Sequence, residues 1–349
     1  IELSKEHYKD IHSKLRTGEQ VFDKTVEELV ELYLEEQETR IRQGDVGGGK
    51  LGITEGRYGT IKTQLNNHLM GFLGNKTRLS KIGNHSFKHK YYRYRKDKSK
   101  TVTDGTIINE RVTINNLFKF GVQKKLIRQG QVPVWEEMKK EKPKGDSFTL
   151  GEWKEMYTYL RTWSKDEEEL QEKTRKEFVR HFILVLCNTG LRFGECRYLK
   201  WRNIKLIKEK DGNTTSVIDV KISKTGERTG VIGRNGEYFK RLKKLSNFTK
   251  DTDWVFVDNE TGGQIGKTTL YRLWKEILDN TSLNDNYTYY TLRHTYCTFR
   301  LLSGVDIYLL SQNMGTSIYN IENTYGHVKL LDKRHELTGG KKLTESDRV

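Results

Sequence analysis

Proline interrupts helices because it lacks an amide donor and its ring crowds the preceding turn. This chain of 349 residues contains only two, Pro133 and Pro143. Long uninterrupted helices are therefore open to it on both sides of one short segment. A linker at 133–145 is expected there, between two domains, which also suits the length. Ahead of it, Thr25 followed by Glu28 is a capping-box signature, and Val26, Leu29, Val30, Tyr33 and Ile41 follow helical spacing. After a flexible break at Gly44–Gly49, a second helix is expected through Tyr58, Ile61, Leu65, Leu69 and Phe72, closed by Gly74. A third runs through Ile108, Val112, Asn115, Phe118 and Val122, so a small helical bundle is predicted over 21–132.

Past the linker, Thr149 and Glu152 form another capping box, and FVRHFILVLCNTG (178–190) reads as a buried helix ended by Gly190. Short β-like runs follow at VIDVKI (217–222), TGVIG (229–233) and WVFV (254–257), and helices resume near Lys267. The fold expected is mainly α with a small antiparallel β-sheet. Its parts are an N-terminal segment (1–20), a helical domain (21–132), the linker, a mixed α+β domain (146–330) and a polar tail (331–349). The chain opens on Ile1 rather than Met, so a missing N-terminal piece is expected.

A net charge of +16 favours a polyanionic partner, nucleic acid above all. The excess is concentrated: residues 50–128 carry 18 Lys/Arg against 4 Asp/Glu, whereas residues 1–49 are acidic on balance. Within that stretch HKYYRYRKDKSK (89–100) interleaves three tyrosines with cations. Lys90, Arg93, Arg95, Lys96, Lys98 and Lys100 are its candidate DNA-binding residues. The competing reading is a helix with a solvated basic face whose tyrosines fill a core. Three cysteines (Cys187, Cys196, Cys297) show neither metal nor disulfide spacing and fit a reducing compartment. No membrane span, metal or cofactor is expected.

Four segments carry candidate chemistry. TGLRFGECRYLKW (189–201) sets an arginine just past a helix-ending glycine, and a guanidinium fork suits two phosphate oxygens. ISKTGERTGVI (222–232) reads as a hairpin bearing Lys224, with Lys221 a competitor, and a lysine can protonate a leaving oxygen. YTLRHTYCTFRLL (290–302) supplies Arg293, and MGTSIYNIENTYGHV (314–328) supplies Tyr325, nine residues beyond Thr316 and 32 beyond Arg293.

In this order and spacing the four segments resemble the boxes of the tyrosine recombinases, the phage-type integrase family. The resemblance covers 146–330 with specific motifs and extends loosely to 20–130 as a core-binding domain. It implies that Arg192 and Arg293 hold a phosphate, that Glu195 orients Arg192, that Lys224 is the proton donor and that Tyr325 is the nucleophile. Tyr290 and Thr316 stand where the family usually has His and His or Trp, and His294 or His327 could substitute. The implied activity is cutting and rejoining DNA through a 3′-phosphotyrosyl link, with neither metal nor ATP, for integration or excision of a phage or mobile element. A catalytically weakened DNA-binding protein and a type IB topoisomerase stay open beside it. The implied partners are double-stranded DNA attachment sites, three further copies in a homotetramer, and accessory bending or directionality proteins. The implied location is the nucleoid-associated cytoplasm of a prokaryotic host.

Overall fold

The computed structural model describes residues 2–16, 23–42, 52–138, 146–223 and 226–324. They fall into two compact units that divide at Lys142 and Pro143.

The first unit is helical: α1 (Glu2–Arg16), α2 (Val26–Thr39), α3 (Glu55–Thr63), α4 (Met70–Leu73), α5 (Lys90–Lys98) and α6 (Asp104–Gln123). The predicted capping box opens α2, with the Thr25 hydroxyl accepting from Glu28 N–H and the Glu28 carboxylate accepting from Thr25 N–H. Between α3 and α4 the chain winds as a π-turn, Gln64–Leu69. Gln64 there accepts from the Thr113 hydroxyl at 2.6 Å, and Arg57 donates to that same hydroxyl. The core gathers Leu29, Leu65, Leu69, Tyr91, Ile114 and Phe118, all essentially inaccessible to solvent. Each such large apolar side chain contributes about 1.5–3 kcal/mol by leaving water.

The expected linker needs a correction. Its first half belongs to this unit: Trp135 packs edge-on to Phe87 and Tyr91, Met138 lies against the same core, and Val134 N–H donates to Asn84. Residues 139–145 and the expected break at 44–49 lie outside the described residues.

The second unit is built on α7 (Leu150–Thr162) and α8 (Leu170–Thr189), then α9 (Phe193–Arg197), β1 (Ile204–Lys208), β2 (Thr214–Val220), β3 (Arg228–Gly233), α10 (Glu237–Leu245), α11 (Lys267–Asp279), α12 (Tyr289–Leu302) and α13 (Ile307–Met314). A last helical segment spans 318–324. The strands form one antiparallel sheet in the order β1-β2-β3, with an irregularity between Ile218 and Val220. The spine is α8, whose Phe178, Val179, Phe182, Ile183 and Leu186 are buried. It stops at Gly190 (φ +67°), where a Cβ would lie 2.4 Å from the Tyr296 ring on α12. Two helices thus pack tightly at the point where the chain must turn.

The mainly helical fold with a small antiparallel sheet is as expected, but the strands differ in detail. β1 and α10 were not anticipated. WVFV (254–257) is no strand of the sheet: it makes isolated bridges, Lys200 with Trp254 and Val257 with Gln264. Its apolar run buries Val255, Phe256 and Val257 in the core without a ladder.

Candidate active site

The short helix α9 begins on Arg192, whose N–H donates to Glu195 Oε2 at 2.9 Å, while its own Nη1 donates to Glu195 Oε1 at 2.6 Å. Glu195 is only 3% exposed. It is also reached by the Ser223 hydroxyl (2.6 Å), three residues past β2, and by Arg228 Nη2 (2.9 Å) from the start of β3. Burial alone would raise the Glu195 pKa. Arg228, the Ser223 hydroxyl, and the amide and charge of Arg192 outweigh it and hold the carboxyl below its ordinary value.

The third guanidinium comes from α12. Arg293 is 3% exposed and donates to Gly190 O at the end of α8 and to Met314 O at 2.9 Å. Arg228 Nη1 donates to the same Met314 carbonyl (3.0 Å), and Arg192 Nη2 donates to the next one, Gly315 O (2.7 Å). Three arginines from three separate elements thereby meet at two consecutive carbonyls where α13 ends. The close approach requires glycine: Gly315 has φ +61°, and a Cβ there would sit 1.7 Å from Arg228 Nη1. Burial, then repulsion from Arg192, lowers the Arg293 pKa, with Glu195 opposing. Three positive charges against one carboxylate leave a cluster suited to an anion such as a phosphodiester.

Of the expected catalytic residues, Arg192, Glu195 and Arg293 are brought together. Tyr290 is half exposed at the start of α12 and lies edge-on to His294, ring centroids 4.7 Å apart. Burial and Arg293 push His294 down to about 4, so it is neutral and a poor base at neutral pH. Thr316 caps the turn after Gly315: its N–H donates to Ser311 O, and its hydroxyl accepts from Asn320 at 3.4 Å. Lys224 and Tyr325 lie outside the described residues; in sequence Lys224 falls between β2 and β3, and Tyr325 follows residue 324.

Sequence reasoning missed Arg228, Ser223 and Asn313. Asn313 accepts from Ile232 N–H (2.7 Å) and donates to the Tyr296 hydroxyl (2.9 Å), tying β3 and α12 to α13. Nothing local to Arg228 in the sequence marks it as facing Glu195.

The basic segment 89–100 also divides. Arg95 is a correction: it is 5% exposed and forms a two-pronged pair with buried Glu110 (2.7 and 2.8 Å), beside the buried Tyr91. Lys96 pairs with Asp104 at 2.9 Å, and Lys98 donates to Asn67 O and the Tyr94 hydroxyl. Lys90, Arg93 and Lys100 are exposed.

A family model described as the phage integrase family matches residues 147–330. A tyrosine recombinase XerC-like protein of Caldanaerobacter subterraneus subsp. tengcongensis is 26% identical over 201 residues, covering 49% of this chain and 51% of that protein. A tyrosine recombinase XerC of Oceanobacillus iheyensis is 26% identical over 151 residues, covering 41% of this chain and 47% of that protein. The chain thus spans about half the length of the curated relatives it matches. Among solved structures, a XerH site-specific recombinase bound to difH substrate aligns with a TM-score of 0.62 at 15% identity, covering 92% of this chain and 99% of that one. A Tn1549 transposon integrase in complex with circular intermediate DNA aligns with a TM-score of 0.60 at 17% identity, covering 90% and 99%. At these identities the structural likeness speaks for the fold.

Proposed function

The chain belongs to the phage integrase family, and on that premise we propose that it is a site-specific DNA recombinase working through a covalent bond to Tyr325. The observation that carries this reading is the meeting of Arg192, Arg228 and Arg293 at the Met314 and Gly315 carbonyls. The positive charge gathered there lies ten residues ahead of Tyr325 in sequence, counted from Gly315. The arginines stabilise charge that grows on the non-bridging oxygens as the phosphate is attacked. The Tyr325 oxygen bonds to phosphorus, the bond to the 5′-oxygen breaks, and Lys224 gives that oxygen its proton. A 5′-hydroxyl of a partner strand then attacks the 3′-phosphotyrosyl link, restores the phosphodiester and releases Tyr325. One phosphoester is exchanged for another at each step, so the backbone's energy is kept. The role we propose is integration or excision of a mobile element, on double-stranded attachment sites held by four copies, with accessory bending proteins, in a bacterial cytoplasm; a transposon integrase in complex with circular intermediate DNA shares the fold.

A second reading keeps the fold for DNA binding with weakened catalysis. It is favoured by Tyr290 and Thr316, neither of which is a base at neutral pH. The test is to incubate the protein with nicked duplexes of randomised sequence and resolve the products on a denaturing gel. Wild type is expected to retain DNA covalently, and Tyr325→Phe to bind DNA with no adduct. Adduct formation by Tyr325→Phe at the wild-type level rejects Tyr325 as nucleophile. Binding with no adduct in either protein favours the second reading. Relaxation of supercoiled DNA lacking any selected site would indicate a topoisomerase instead.

A further inference from the structure

Besides the active-site arginines, two guanidinium-bearing residues of the second unit share one cavity. Arg234 follows directly on β3, and Arg300 lies on α12 seven residues after Arg293, about 10 Å further along the helix axis. Both line a cavity of about 70 Å³ with Trp153, Asn188 and Tyr296, room for several water-sized bodies. Both also line the adjoining open groove of about 630 Å³, which gives access from solvent. In the catalytic cluster Glu195 offsets the repulsion. Here neither arginine has a carboxylate partner among the described residues. Arg300 is half-buried and Arg234 exposed; burial and then the charge of Arg234 lower the Arg300 pKa. A half-buried cation beside a second one, with no carboxylate between them, favours a counter-anion. Tyr296 lines both cavities with them, and its hydroxyl is a candidate third group. It accepts a hydrogen bond from Asn313, which leaves its own proton to donate.

We propose that Arg234 and Arg300, with the Tyr296 hydroxyl, form a second oxyanion site that takes a phosphate group, separate from the cluster around Arg192. Two guanidinium forks and one hydroxyl match the acceptor oxygens of a tetrahedral phosphate. The site adjoins the active site through Asn313, the residue before Met314, whose carbonyl takes both Arg228 and Arg293. The inference rests on this cavity alone and stands whether or not Tyr325 forms an adduct.

The test follows the thermal unfolding midpoint of the full chain as inorganic phosphate replaces chloride at constant ionic strength. Wild type is expected to rise by a few degrees, as ligand binding to the folded state requires. Arg300→Gln and Arg234→Gln are each expected to lose that rise, and Arg192→Gln to keep at least part of it. Arg300→Gln without phosphate is expected to unfold no lower than wild type, because a repulsion is removed. Arg234→Gln, at an exposed position, covers the case in which Arg300→Gln fails to fold. If the phosphate group is supplied by DNA, both variants also lower the salt slope of duplex binding by about one; if it is free, the slope is unchanged. A rise that survives both substitutions, or that vanishes only in Arg192→Gln, overturns the proposal.

Discussion

Glu195 is a carboxylate set among three arginines, and its worth to the fold depends on its charge. Its folded pKa lies below the ordinary value, so its contribution is full above the unfolded carboxylate pKa of about 4.3 and is lost as pH falls through the lower folded value. Wild type is therefore expected to lose stability below about pH 4, in part through this group. Glu195→Gln removes the counter-charge from Arg192 and Arg228 at every pH and is expected to cost about 3–5 kcal/mol at neutral pH. Urea unfolding at pH 7 and pH 3.5 checks both: the gap between the two proteins should shrink at the lower pH, and a constant gap would mean that Glu195 acts by shape rather than charge. Arg192, Glu195 and Arg293 were readable from the chain because a recurring order of boxes singles them out. Arg228 was not, because what selects it is the turn of a hairpin toward a carboxylate 33 residues earlier. Arg95 was misread for the opposite reason: its local context is basic and tyrosine-rich, and only the tertiary fold brings Glu110 against it.

At the scale of elements, the site depends on where α13 stops. Gly315 ends it in the left-handed region with no room for a side chain. Gly315→Ala meets a strained backbone, about 1–2 kcal/mol, and also pushes on Arg228. It is expected to abolish DNA adduct formation while far-UV circular dichroism stays at the wild-type level. Adduct yield within twofold of wild type would mean that the three arginines tolerate displacement of the carbonyls that position them. Helices with clear starts were legible: both capping boxes and the stop at Gly190 are where their residues predicted. The sheet was harder. The five residues of β1, IKLIK, read equally well as a helical turn, and pairing with β2 decides between them. WVFV has strand-like composition, but its neighbours offer it single bridges rather than a ladder.

For the molecule as a whole, the question is what the +16 charge does, and the first unit allows the contributions to be separated. Cations that touch phosphates change the salt dependence of binding, because each one releases counterions; cations paired inside the protein change stability instead. Lys90, Arg93 and Lys100 are exposed, whereas Arg95 is sealed against Glu110. Replacing Lys90, Arg93 and Lys100 together by Ala is expected to leave the unfolding midpoint nearly unchanged. The same change should reduce the slope of log affinity against log salt by up to about three, near one for each phosphate that is no longer neutralised. Arg95→Ala is expected to do the reverse, costing about 3–5 kcal/mol by stranding a buried carboxylate while leaving the salt slope of the remaining folded protein alone. Fluorescence anisotropy with one labelled duplex across a salt series, paired with urea titrations, measures both. An unchanged slope in the triple variant would show that this helix faces solvent on the DNA complex. The DNA-binding cations of the first unit would then have to be others of the 50–128 stretch.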